Sequence, residues 1–220
     1  MNEGYVIYVC DTETTGLNAT ENDVIELSMF RLIPKDDGSY QEDQRTWLIK
    51  AVNPKTISDE ALSKNGHKRE DILHLSKFGK ENYLLPQDVV DQVEAWMMED
   101  NVSAIDRVFA GQNPKFDLDF LKELWRRCDR PTENDFPFMV GNGNRVIDTK
   151  QIVVLFDICT GRRRKHYNLS SLVKAVGVKK GKAHKADEDT RMTKDLMMKL
   201  ISIIKIVVAE QFKDSYPDDE

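Results

Sequence analysis

The sequence predicts an α/β protein folded as one domain, and three observations carry that expectation. β-rich runs crowd the first third of the chain, and apolar stripes at helical spacing then alternate with short strands. No repeat, low-complexity tract or linker interrupts this succession. The 220 residues are about one and a half times a typical domain length. A content of 40% hydrophobic and 32% charged residues is that of a globular chain. We expect the domain to span residues 1–213 and the acidic tail, 214–220, to be disordered.

Residues 5–10 form a β-rich run that ends at Asp11, and residues 24–33 and 46–52 read as further strands. Asp36-Asp37-Gly38-Ser39 supplies a turn between the latter two, which makes an antiparallel meander. Residues 58–64 and 86–99 read as helices, the second with Val89, Val90, Val93, Trp96 and Met97 on one stripe. A short strand at 108–110 leads to a helix over 116–128, striped by Phe120, Leu121, Leu124, Trp125 and Cys128. After a Gly/Asn turn at 141–144 come Arg145-Val146-Ile147 and then Asp148, which suits a helix cap with Gln151 three residues on. Residues 168–176 form a short helix stopped by Gly177. The last helix runs from about 188 to 212, with neither Gly nor Pro inside. Its many apolar residues fit either core burial or a homodimer contact.

Several classes are excluded. No run reaches the ~18 uncharged apolar residues of a membrane span; Lys194, Lys199 and Lys205 interrupt the most apolar helix. No basic segment precedes the apolar run at the N-terminus, which argues against a signal peptide. Cys10, Cys128 and Cys159 are odd in number and scattered, so neither a disulfide framework nor a zinc knuckle is expected. The expected setting is the reducing cytoplasm. The net charge of −6 conceals an asymmetry: residues 160–185 hold nine Lys or Arg and no acid, leaving 23 basic against 38 acidic residues elsewhere. Such a stripe suits a surface that faces a polyanion, or simply a solvated face.

Three segments can carry chemistry. In Asp11-Thr12-Glu13-Thr14-Thr15-Gly16-Leu17, a strand would aim Asp11 and Glu13 at one point. Two bare anions repel there, and a divalent cation with oxygen ligands is the usual remedy; two solvated acids at a strand end are the plain alternative. Asn113-Pro114-Lys115-Phe116-Asp117 follows a strand and opens a helix, where Asp117 lies nearer the strand ends than Asp119 and also suits the helix dipole. His184-Lys185-Ala186-Asp187-Glu188-Asp189 opens the last helix behind a Gly/Lys-rich loop, so His184 and Asp189 can face a common centre or serve as surface residues.

Together, DTETTG, N-x-x-F-D and H-x4-D resemble, in order and spacing, the DEDDh family of 3′–5′ exonucleases, the DnaQ-like group, over about residues 5–205. Lys185 stands where the sister class carries Tyr, so the likeness is to the His type. The resemblance implies a ribonuclease H-like fold, with a mixed five-stranded sheet flanked by helices. It implies Asp11, Glu13, Asp117 and Asp189 as ligands of two Mg²⁺ ions, for which Mn²⁺ can substitute, and His184 as general base. Two such ions activate water and stabilise the attacking and leaving oxygens, and an imidazole with a pKa near ~6.5 can take a proton at neutral pH.

The implied reaction releases 5′-mononucleotides from a 3′ end. The terminal nucleotide would be held by Thr14, Thr15, Gly16 and Leu17, with Asn113 nearby. Leu17 would wedge against the base, although core packing is the other reading of it. Arg162, Arg163, Arg164 and Lys182, within the basic stripe, are candidates to track the backbone of single-stranded or 3′-ended nucleic acid. Gln112 departs from the His that many relatives carry before the Asn. DNA is the leading substrate, exonucleolysis of RNA ends uses the same site, and a non-catalytic module docked on a polymerase is disfavoured because all five positions are filled. Any coupling to a polymerase would be in trans.

Overall fold

A computed structural model describes residues 4–73, 82–132, 136–138, 145–179 and 185–211. The chain opens with β1 (Val6–Thr14), β2 (Val24–Pro34) and β3 (Tyr40–Ile49), followed by the short helices α1 (Asp59–Asn65) and α2 (Arg69–Ile72). Next come β4 (Tyr83–Leu84), α3 (Pro86–Met98), β5 (Arg107–Gly111), α4 (Lys115–Arg127), β6 (Val146–Asp148), α5 (Thr149–Cys159), α6 (Leu169–Ala175) and α7 (Ala186–Gln211).

The strands form one mixed sheet in the order β4-β3-β2-β1-β5-β6. β1 pairs antiparallel with β2 and parallel with β5, so it lies centrally. β2 and β3 are antiparallel, as the meander requires, and β5 and β6 are parallel. The sheet has six strands where five were expected. The added β4 is two residues long and pairs parallel with the end of β3, too short to leave a pattern in the sequence. The expected strand at 46–52 starts earlier, at Tyr40, because the polar first half of β3 is drawn in by backbone pairing with β2.

Apolar alternation explains the layers. Val6, Tyr8 and Cys10 on β1, with Leu27 and Met29 on β2, pack with the stripes of α3 and α4. Ile7 and Val9, with Phe30, Leu32, Val108 and Ala110, pack against Met197 of α7 on the opposite face. Fully burying each such side chain contributes about 1.5–3 kcal/mol, so both faces of β1 are pinned. A third cluster joins α5, α6 and α7 through Val153, Leu172, Val173, Met192, Leu196 and Leu200. The first half of α7 is therefore core, whereas Ile204, Ile206, Val207 and Val208 near its end are exposed. Caps match the sequence signals: Asp148 accepts from Lys150 N, and Gly177 takes φ +75° after α6. Among the described residues, no helix is long and apolar enough to cross a membrane.

Candidate active site and metal centre

β1 and β5 pair from Val6 to Val9, so the last residues of β1 continue past the parallel ladder. Ile7, Val9, Asp11 and Glu13 share one face by strand alternation, the face that α7 covers. The apolar half of that row anchors α7, and the acidic half meets its first turn. One carboxylate oxygen each of Asp11, Glu13 and Asp189 lies within 4.8 Å of the others.

Asp117 arrives from the other layer. In the first turn of α4 it accepts from Thr12 N at 2.9 Å and Thr12 Oγ1 at 2.8 Å. Thr12 thus fastens α4 to the strand between the two acids. Asp119 points outward and pairs with Lys115 at 2.6 Å, as the helical period requires.

The electrostatics follow from crowding. Burial pushes the Asp11 carboxyl far above the usual carboxylate range, and Asp117, Asp189, Glu13 and Glu26 add to the rise. Glu13 is pushed up to about 8, first by burial and then by Glu26, Asp189 and Asp117, against a hydrogen bond from Asn65. Burial raises Asp117 as well, opposed by its bonds from Thr12. Carboxylates raised in this way by burial and mutual repulsion form a donor set of hard oxygens, and a divalent cation would restore their charge. The residues present fit such an ion.

The segment after β1 forms an ordered loop. Thr14 Oγ1 donates to Gly16 O, and Thr15 N donates to Asp23 O while its hydroxyl accepts from Asp23 N. A Cβ on Gly16 would collide with the side chain of Asn22, which is itself held by Asn18 N and Thr56 O, so the loop needs glycine there. Leu17 is 86% exposed at its tip, which removes core packing as its explanation. Beside it opens a cleft of about 530 Å³, lined by Glu13, Thr14, Leu17, Asn65, Phe116 and their neighbours. Asn113 is exposed in a left-handed conformation, φ 60°, with its N–H donating to Asp148.

The basic stripe divides. Arg162 and Arg163 are exposed. Arg164 instead turns inward to a bidentate pair with Asp157 at 2.6 and 3.0 Å, where Tyr167 also donates. Its charge is thereby neutralised within the protein rather than presented to solvent. Lys182 and His184 lie outside the described residues. Gln112, the departure from the family pattern, donates to Tyr167 O and accepts from Thr149 Oγ1. It ties β5 to α5.

Sequence reasoning missed Thr12, Asn65 and Glu26. Glu26 faces Glu13 across the β1–β2 ladder and is held by His67 at 2.9 Å, with Tyr83 on the other ring nitrogen. Only strand register could have found Glu26, and no local signal marks Asn65.

The family model described as Exonuclease (RNase_T) matches residues 8–197. The chain belongs to the exonuclease family. As a member of it, the chain is a nuclease, and the family implies dependence on a divalent metal. A protein named 3′-5′ exonuclease DinG, from Staphylococcus haemolyticus (strain JCSC1435), is 28% identical over 97% of this chain but 20% of its own length. The protein of the same name from Staphylococcus aureus (strain bovine RF122 / ET3-1) is 35% identical over 54% of this chain and 12% of its own. The exonuclease-family chain therefore spans about a fifth or less of these curated relatives. Its fold is similar to that of E. coli Exonuclease I solved with a dT13 oligonucleotide, with a TM-score of 0.70 at 14% identity over 94% of this chain and 43% of that one. Cell-death related nuclease 4 (CRN-4) gives 0.69 at 13% identity, over 91% and 64%.

Proposed function

We propose that the chain is a 3′–5′ exonuclease that removes 5′-mononucleotides from the 3′ ends of DNA with Mg²⁺ as its cofactor. The observation that carries this reading is the meeting of Asp11, Glu13 and Asp189 within 4.8 Å at the end of the central strand. The 3′–5′ polarity in the name of the DinG relatives supports this direction, and the dT13 oligonucleotide bound to Exonuclease I, a protein of similar fold, supports DNA as the substrate.

Asp11, Glu13, Asp117 and Asp189 would hold two Mg²⁺ ions, with Mn²⁺ able to replace them. When bound, the ions would supply Lewis acidity and charge neutralisation at the scissile phosphate. The chain's own groups do the rest. His184 takes the proton of the water that attacks phosphorus, and the P–O3′ bond breaks with its electron pair left on O3′, which takes a proton from solvent to leave a shortened strand with a free 3′ hydroxyl. The exposed Leu17 and the cleft beside it receive the last base and sugar, with Thr14, Thr15, Gly16 and Asn113 around them. Arg162, Arg163 and Lys182 guide the upstream phosphates. Cytoplasmic action fits the three free cysteines. In this reading a polymerase would be engaged in trans, and a second copy would pair through the exposed end of α7.

The test is digestion of 3′-labelled single-stranded DNA, duplex DNA and RNA side by side in Mg²⁺, Mn²⁺ or EDTA. Mononucleotide release from the 3′ end of DNA, abolished by EDTA, is expected. Undiminished activity in EDTA, or release starting at the 5′ end, would overturn the reading.

A further inference from the structure

Arg127 closes α4 about ten residues after Asp117 opens it, and it joins that helix to the loop after β1. Nη1 donates to Asp23, Nη2 to Ala19 O at 3.1 Å and Thr20 O at 3.0 Å, and Nε to Glu123 at 2.8 Å. Its side chain is 21% exposed and that of Asp23 6%, so these bonds are largely shielded from water. Asp23 in turn accepts from Val52 N and Asn53 N, while its own backbone is bonded in both directions to Thr15. Asn22 ties Asn18 N to Thr56 O. The loop from Thr15 to Asp23 is thus closed at its base, and its tip carries Leu17 into solvent beside the cleft.

A large apolar side chain so exposed gains nothing for the fold. Holding it in one place costs chain entropy, which the bonds around Arg127 offset. A planar guanidinium can serve a carboxylate and two carbonyls at once, and a lysine ammonium cannot span that set.

We infer that Arg127 is a positioning residue for the substrate. It braces the loop Thr15–Asp23 so that Leu17 stands preformed against the terminal nucleotide, and α4 thereby holds Asp117 at one end and the wedge at the other. This rests on reading the cleft as the 3′-terminal site. A preorganised wedge strengthens binding by avoiding the ordering cost when substrate arrives.

The test is a double-mutant cycle on 3′-labelled single-stranded DNA, using Leu17→Ala, Arg127→Met and the pair, with Mn²⁺ binding measured by calorimetry. Arg127→Met should raise KM about 3–10-fold, the cost of ordering a loop side chain. It should leave kcat at saturation and Mn²⁺ affinity within twofold, as for loss of uniform binding. The double variant should be no worse than the weaker single one, because both changes remove one wedge. Arg127→Lys keeps charge and stem without the fork. It should show a smaller rise of the same non-additive kind, and it serves if Arg127→Met does not fold. Additive KM effects, or an unchanged KM in both Arg127 variants of an active protein, would overturn the inference alone. Wild-type protein that releases no 3′ nucleotide would overturn the proposed function with it.

Discussion

Arg162 and Arg164 stand two positions apart in one basic run and meet different fates. Arg164 satisfies Asp157, whose side chain is 2% exposed, while Arg162 and Arg163 face solvent. Arg164→Ala strands a buried anion, so chemical denaturation should show a loss of about 3–5 kcal/mol. Arg162→Ala with Arg163→Ala should leave stability within about 0.5 kcal/mol. If those two grip phosphates, the salt dependence of single-stranded DNA binding should lose about 0.7 in log–log slope for each. Binding measured with Ca²⁺ in place of Mg²⁺ reports that slope without cleavage. At the same scale, His184→Ala should lower turnover by about 10²–10⁴, with partial recovery as pH rises. Metal binding should persist in it.

Single elements carry both packing and chemistry. β1 alternates so that one face runs from apolar Val6, Tyr8 and Cys10 to the buried hydroxyls of Thr12 and Thr14, and the other from apolar Ile7 and Val9 to acidic Asp11 and Glu13. α7 presents the same division lengthwise, with Asp189 in its first turn and Leu196 fully buried two turns on. Leu196→Ala removes contacts with α5 and α6 and should cost about 2–5 kcal/mol. Because that packing aims the first turn, the rise in melting temperature on adding Mn²⁺ should shrink as well. An unchanged rise would show that Asp189 is placed by the strand contacts of α7 alone.

Across the molecule, the crowded acids link stability to pH. Asp11, Glu13 and Asp117 all titrate above their ordinary range when folded, so the folded state binds more protons than the unfolded one. Their favourable contribution is complete below about pH 4, the unfolded value. It is lost as pH rises through the folded values, which for Glu13 is about 8. The metal-free melting temperature should therefore fall between about pH 5 and 8. Added Mg²⁺ or Mn²⁺ should raise it most at the alkaline end, where protons compete least. Glu13→Gln should abolish hydrolysis, yet raise the metal-free melting temperature at pH 8, because one repulsive charge is gone. A wild-type melting temperature that climbs over this range would contradict the burial of the acids.

The strand bearing Asp11 and Glu13, the helix with Asp117 in its first turn and the helix with Asp189 in its first turn are legible in the sequence, because each rests on a period, a cap or a breaker within a few residues. The family is legible there as well, since three separated motifs must keep their order. Tertiary structure alone decided that Glu26 faces Glu13, that Asn65 and Thr12 hold the acids, and that Arg164 turns inward. It also decided that Arg127 reaches back more than a hundred positions to Asp23. Those partners are set by strand register and by how helices lie on a sheet. The free energy that selects them is shared among many buried contacts, so no short stretch of sequence records it.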